Sequence, residues 1–343
     1  MDGFTFALNV YSKNYDKLLC EKYHNYQLIN TILVDYKDLK CLEVRTCEGV
    51  LSNVYVLLVS DKDIRILNSF YLTLNSGELQ AVCHYIFERY KVPKIIWGGQ
   101  ANALPTDEVT FCFMSSSKIE DNIAQLPSSF AEYISSLGKQ TKKHSKYYMG
   151  RLVRDFPSTS YEFIHGNTLS EDDLAVICKF SSERIENKSL KYINDTELLK
   201  KRIKHDSAFA FVVKIENQIQ AGCLGYILGE HLYLSKISHN ILFNKYNLGN
   251  VVLLKLIEYC IEHNVKYFHF LWGRNVDYKE RFGGVTTPLT DYVFYNHKDM
   301  AFYIDKFILS ITDIIRIVVN RLKKNDFILK SYRKVRYFLT KLS

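Results

Sequence analysis

Residues 219–238 read IQAGCLGYILGEHLYLSKIS, residues 243–273 read FNKYNLGNVVLLKLIEYCIEHNVKYFHFLWG, and residues 277–284 read DYKERFGG. The runs 219–227 and 232–238 are strand-like and are joined by Gly229-Glu230, a pair suited to a tight turn. A third run, 209–215, precedes them across Glu216-Asn217, so a three-strand meander is expected. Residues 248–263 then form a strongly apolar helix, and 266–272 read as a buried strand. Upstream, 160–165 reads as a strand. Ser170 with Glu171–Asp173 supplies an N-cap and an acidic first turn for a helix to about residue 186. A second helix starts at Asn194-Asp195 with Leu198, Leu199 and Ile203 on one side, and 291–295 forms a last strand. Strand, two helices, meander, helix and strand make an α+β order with a mixed sheet.

The first part of the chain has a similar grammar. Short strands at 41–45, 54–59, 64–67 and 70–74 are punctuated by turn residues, and 77–90 carries a helical apolar face. Pro93 ends that helix, 95–97 reads as a strand running into Gly98-Gly99, and 109–114 as another. After Pro127, residues 129–155 read as one long helix, apolar early and basic late. Two segments echo each other: a Gly-opened helix from Gly77 leads to Trp97-Gly98, and one from Gly249 leads to Trp272-Gly273. Two related half-domains in tandem would produce that echo, as would chance likeness of two helix–strand units. The expected organisation is 1–126, a basic connecting helix at 127–156, a second half at 157–300, and a basic amphipathic helical tail at 301–343.

A chain of 343 residues is long for one core, and 47% hydrophobic with 24% charged residues excludes disorder. The net charge of +8 is not spread evenly: 301–343 carries +7 and 139–154 carries +6, so the remainder is acidic at −5. Eight cysteines occur without any CxxC pair, which suits buried thiols in a reducing cytoplasm and gives no metal-ligand spacing. The start, MDGFTFALNVYSKNYDK, has none of the features of an export signal. Residues 302–319 are apolar but interrupted by Asp305, Lys306, Asp313 and Arg316, each costing about 2.5–3.5 kcal/mol at mid-bilayer, so a spanning helix is not expected. Residues 321–341 interleave Phe327, Tyr332, Tyr337 and Phe338 with eight basic side chains. That pattern suits either an anionic lipid surface, through 320–343, or a helix packed on its own protein with a solvated basic face.

The strongest candidate site is the loop before the helix at 248–263. Asn247, Leu248, Gly249, Asn250 and Val251 would offer free backbone N–H groups and the positive end of a helix dipole to a pyrophosphate, with Gly249 permitting close approach. Here the sequence resembles the GNAT-fold acyltransferases, and more narrowly the cellulose-biosynthesis-type acetyltransferases and their Fem-like relatives. The meander, the 248–263 helix and the Tyr278-Lys279 pair carry the likeness. Ser136-Leu137 followed by Lys142, Lys143, His144, Arg151 and Leu152 resembles the basic helix between the halves. The resemblance implies two GNAT-like halves and transfer of an acyl group from acyl-CoA to an amine of a surface-glycan or envelope precursor; the Fem branch would use charged tRNA. It also implies polarisation of the acyl carbonyl beside Ile237-Ser238 and protonation of the leaving thiolate by Tyr278. His239 and His269 are candidate bases. Lys142, Lys143, Arg151, Trp272, Arg274 and Lys279 are candidate substrate contacts, with no metal required. Of the general pyrophosphate motif only Gly249 is kept, and the family's strand-end Asp is His269. A degenerate fold that binds only a membrane or a partner is the non-enzymatic alternative.

Overall fold

The computed structural model describes residues 3–24, 39–70, 72–107, 109–187, 195–271 and 276–296, and beyond them residues 300, 302–308 and 310–311. The first part of the chain forms β1 (Phe4–Val10), α1 (Lys13–Tyr23), β2 (Leu39–Thr46), β3 (Leu51–Val59), β4 (Ile64–Ile66), α2 (Ser76–Tyr90), β5 (Lys94–Gln100) and β6 (Cys112–Gln125). Two helices follow, α3 (Phe130–Ser136) and α4 (Lys139–Asp155). The second part forms β7 (Ser160–His165), α5 (Glu171–Glu186), α6 (Thr196–Arg202), β8 (Ala208–Ile215), β9 (Gln218–Leu228), β10 (His231–His239), α7 (Leu248–Glu262), β11 (Tyr267–His269), α8 (Val276–Arg281) and β12 (Val285–Tyr295).

Among the described residues, twelve strands join one sheet in the order β1-β2-β3-β4-β5-β12-β6-β11-β10-β9-β8-β7. The order explains the echo in the sequence. In each part an antiparallel run of strands ends in a strand–helix–strand crossover, β4-α2-β5 and β10-α7-β11, and these are the two parallel pairings. The last strands are exchanged: β6 pairs with β11 of the second part, β12 with β5 of the first, and the two pair with each other from Val285↔Ile123 to Tyr295↔Cys112. The fold is α+β, a tandem of two like units whose mixed sheet is flanked by helices.

Local chemistry accounts for most of the boundaries. Asn75 Oδ1 accepts from the Glu78 N–H at the start of α2, and Ser170 Oγ accepts from the Asp173 N–H at the start of α5. Glu216 and Asn217, at φ 52° and 62°, make the tight turn between β8 and β9. α7 buries Leu248, Val251, Val252, Leu253, Leu254, Leu256, Ile257, Cys260 and Ile261. Each aliphatic side chain among them contributes about 1.5–3 kcal/mol as an upper estimate.

Four expectations need correction. Residues 70 and 72–74 are not a strand; they lie in the crossover before α2, with Phe70 and Leu72 buried. The helix expected over 129–155 is two, because Leu137 and Gly138 are extended (ψ 151° and 147°) and Gly138 caps α4. The strand expected at 109–114 begins at Cys112 and runs on through the polar stretch SSSKIEDN, whose residues pair with β12. The strand expected over 266–272 is short, Tyr267–His269, and the chain leaves the extended conformation at Leu271, which has φ 55°.

Three cores result. One lies under the first unit around Trp97 and Phe294, and one packs α7, α3 and α4 on β8–β11. The third joins the units: Leu39, Cys41, Val54 and Val56 meet Ile177, Leu224, Tyr226 and Tyr233. Cys20, Cys41, Cys83, Cys178, Cys223 and Cys260 are buried free thiols. Burial pushes Cys20 and Cys41 up to about 12, so these two are unreactive structural side chains. No helix among the described residues is long and apolar enough to cross a membrane. The expected basic tail at 320–343 lies outside the described residues.

Candidate functional site

The site is built on the divergence of β10 from β11. The two strands pair only over His231–Tyr233 and Tyr267–His269. Beyond that point β10 pairs with β9 alone, through a bulge between Leu234 and Lys236, while the chain after β11 stays hydrogen-bonded to β6 through Phe270. Ile237 and Ser238 therefore line an opened wedge in the sheet. Ser238 is fully buried, and its Oγ donates to the Ile177 carbonyl of α5 at 2.8 Å.

Tyr278 of α8 packs against the same hydrophobic core as Ile237. Its ring packs edge-on against Phe282 (centroids 5.4 Å) and Phe270 (6.5 Å). Burial, and then the Cys223 thiol, push the phenol's pKa well up, against the opposing pull of Arg184 and Arg281. Cys223 sits opposite Ile237 in the β9–β10 register, which sets the phenol among wedge residues. A phenol so held is protonated at neutral pH and is a proton donor.

At the outer end, Asn247 takes a left-handed conformation (φ 50°, ψ 46°), and its carbonyl accepts from the N–H groups of Asn250 and Val251. Leu248 and Gly249 stand at the helix start with no acidic side chain in the first turn, so the positive end of the helix is not neutralised. Gly249 lies close to its neighbour: a Cβ there would stand 3.2 Å from His239 Nδ1, so the ring would have to shift by a few tenths of an ångström. The His239 ring rests on the helix start, with Nε2 3.0 Å from Asn244 Oδ1. Arg151 braces the same loop, with Nη1 donating to the Lys245 carbonyl at 3.3 Å and its guanidinium 5.2 Å over the Tyr246 ring. The N–H groups of Asn247, Asn250 and Val251, expected to be free, are instead hydrogen-bonded to the Asn244 and Asn247 carbonyls.

A second polar cluster lies on the opposite face of β11. Asp121 of β6 and His269 are fully buried, and His269 Nδ1 lies 2.8 Å from Asp121 Oδ2. His269 Nε2 lies 2.9 Å from His231 Nδ1, and the His269 ring stacks on Tyr233 with centroids at 4.2 Å. His231 stacks in turn on His24 (5.4 Å), and the Tyr233 hydroxyl donates to the His24 carbonyl. Lys279 is buried, with Nζ donating to the carbonyl of Leu271, a residue in the left-handed region at φ 55°. Burial lowers the Lys279 pKa, and Asp121 opposes this.

The expected residues thus fall into groups. Ile237 and Tyr278 pack against the same core while Ser238 turns to α5, Gly249 lies against His239, and Arg151 holds Lys245 and Tyr246 just before α7. Lys279 and His269 join Asp121. His269 has both ring nitrogens engaged within the protein, so it reaches substrate only through its partners. Trp272 and Arg274 lie outside the described residues. α4 packs on α7 and the loop before it, and a hydrophobic core joins the two units. Lys142 donates to the Ser135 carbonyl, and Lys143 is exposed beside Lys139 and Lys146 around an open depression floored by Ile134. Asp121 and His231 were not singled out in the sequence. Asp121 sits in a polar run without strand alternation, and His231 opens a strand next to a turn, so neither carried a signal.

His231 makes stability depend on pH. Burial, then His269 and His24, hold its pKa down to about 3 from 6.5. A base kept neutral in the fold takes up its proton on unfolding, so this contribution is intact above about 6.5 and is lost as pH falls towards about 3. Urea midpoints of the wild type should drop faster between neutral and mildly acidic pH than those of His231→Gln. Parallel curves would remove His231 as the cause.

The profile of the acetyltransferase (GNAT) domain family matches residues 195–280, the stretch from α6 to α8. No curated protein matches the chain by sequence. Among solved structures, FemX is similar at 11% identity over 84% of this chain and 97% of its own, with a TM-score of 0.61. L-PGS from Bacillus licheniformis is similar at 11% identity over 86% and 95%, with a TM-score of 0.55. The C-terminal domain of a putative lysylphosphatidylglycerol synthetase from Agrobacterium fabrum is similar at 9% identity over 85% and 95%, with a TM-score of 0.52. At these identities the likeness is one of fold, and it extends over both units. The chain has an acyltransferase-type GNAT fold.

Proposed function

We propose that the protein is an N-acyltransferase that moves an acyl group from acyl-CoA to an amine of a surface-glycan or cell-envelope precursor, in the cytoplasm at the inner face of the membrane. The observation that carries this reading is the β10–β11 wedge, with the Tyr278 phenol beside it and the uncapped start of α7 at its outer end. The acyl carbonyl would lie against the strand edge at Ile237-Ser238, whose backbone polarises it. The amine nitrogen attacks the carbonyl carbon and the C–S bond breaks. The leaving thiolate takes the Tyr278 proton, and the ammonium formed on the new amide nitrogen gives up the proton that restores the phenol. The Tyr278-Lys279 pair and the α7 helix also support the narrower likeness to cellulose-biosynthesis-type acetyltransferases.

Calorimetry with acetyl-CoA and longer acyl-CoAs tests the donor. Binding is expected for the wild type. It should be lost in Gly249→Glu, which puts a carboxylate at the helix start and displaces His239. A wild-type chain that binds none of these thioesters removes the CoA reading. The second reading, aminoacyl transfer from tRNA, draws support from the Fem-like resemblance of the sequence and from the similarity of fold to FemX over 84% of this chain. Its exposed lysines on α4 would then contact nucleic acid, and steeply salt-dependent tRNA binding would mark it.

A further inference from the structure

Residues 302–308 are helical and follow β12. This segment faces the protein with its polar side. Asp305 receives Lys94 Nζ at 2.7 Å and the Tyr295 hydroxyl at 2.9 Å, and Phe302 packs edge-on against Tyr295. The opposite side is apolar and open to solvent: Tyr303, Ile304, Phe307, Ile308 and Ile311 are 56%, 47%, 66%, 53% and 39% exposed, and Met300 is 73% exposed. Positions 303, 304, 307, 308 and 311 follow the spacing of one helical face. Scattered surface apolar residues need no explanation, but a contiguous helical stripe turned outward does.

The Asp305 contacts fix the direction of that stripe. They hold the helix by the side that carries Asp305 and Phe302 and leave its apolar stripe uncovered among the described residues. The sequence around and beyond it supplies the second half of the argument. Residues 301–343 carry ten Lys and Arg against three Asp, a charge of +7, in a molecule whose net charge is +8. An apolar helical face joined to a cationic segment is complementary to one surface in particular, an anionic lipid leaflet: the face enters the acyl boundary and the cations meet the headgroups.

We infer that the helix around 302–311 is the membrane-docking element of this protein, inserting Tyr303, Ile304, Phe307 and Ile308 into an anionic bilayer surface. It brings the wedge to a membrane-bound acceptor if the proposed acyl transfer holds. The docking test is independent of that reaction, so failure of one does not imply failure of the other. The full chain should sediment with vesicles of equimolar phosphatidylcholine and phosphatidylglycerol and much less with phosphatidylcholine alone. Ile304→Glu with Phe307→Glu should weaken partitioning by about tenfold or more, because two exposed side chains lose their lipid burial. Both positions are at the surface, so folding should survive, checked by an unchanged thermal transition. Phe307→Trp should still bind, and its fluorescence should shift to the blue on adding the anionic vesicles. Three results would overturn the inference. The first is a wild type that ignores both vesicle types. The second is a double variant that binds as tightly as wild type, which would leave docking to charge alone. The third is a wild-type dimer that becomes a monomer in the double variant without any vesicle binding, which would make the stripe a contact between copies of this chain.

Discussion

Tyr278→Phe should lower kcat by about 10²- to 10⁴-fold, the usual contribution of a positioned general acid, with little change in KM or stability. The exchange removes one oxygen and keeps the ring, whose packing on Phe270 and Phe282 holds α8 against the core. What is lost is the proton for the departing thiolate. Burial and Cys223 keep that proton on the phenol at neutral pH, so the group is in its donating form before the thioester arrives. A water can replace it only by entering the core that the ring packs on, so the residual rate should stay low. The measurement is steady-state transfer from acetyl-CoA to a panel of amino sugars. An unchanged kcat would remove Tyr278 from the chemistry. A raised KM at constant kcat would make it a binding contact instead. A wild type without turnover but with tRNA-dependent transfer would move the same variant to the second reading, where the leaving group is a ribose hydroxyl and also needs a proton.

The elements that dictate this site were legible in the sequence where burial imposes a period. The meander, α7 and the capped start of α5 were readable because apolar spacing and turn residues agree there. So was the tandem order, through the Gly-opened helices before Trp97 and Trp272. What was not legible was long-range exchange. β6 carries Ser115, Ser116, Lys118, Glu120 and Asp121 and reads as a loop, yet it lies at the centre of the sheet because β12 pairs with it along its whole length. Strand propensity yields here to pairing on both edges. The same exchange hid the second polar cluster. Asp121 and His269 are 148 positions apart, and only the β6–β11 pairing brings them together. Tyr278 was readable as a residue type at a family position. Its local setting was not, since Arg184 and Cys223 come from different elements.

Asp121→Ala is expected to be the most damaging single substitution for stability, at about 3–5 kcal/mol, the range for stripping one partner from a buried charged cluster. That is a large fraction of the 5–15 kcal/mol typical of a whole domain. The carboxylate is fully buried and accepts from His269 Nδ1 at 2.8 Å and from the Asn122 N–H at 2.7 Å. Lys279 is buried nearby, and Asp121 favours its charged form. Removing the carboxylate leaves an imidazole N–H and an amine in an apolar setting without their acceptor or counter-charge, and a cavity besides. Asp121→Asn keeps the shape and one acceptor but not the charge, so it should cost about 1–3 kcal/mol, and the gap between the two variants reports the electrostatic share. The damage arises from stranding the partners, so it should be largely reversed when they are removed too: Asp121→Leu with His269→Phe and Lys279→Met should recover much of the loss. Urea unfolding followed by circular dichroism measures all three. If Asp121→Ala costs under about 1 kcal/mol, water reaches the carboxylate and the cluster is not buried as described. If the triple variant is no better than Asp121→Ala, the cavity rather than the stranded charges dominates, and the role of Asp121 is packing.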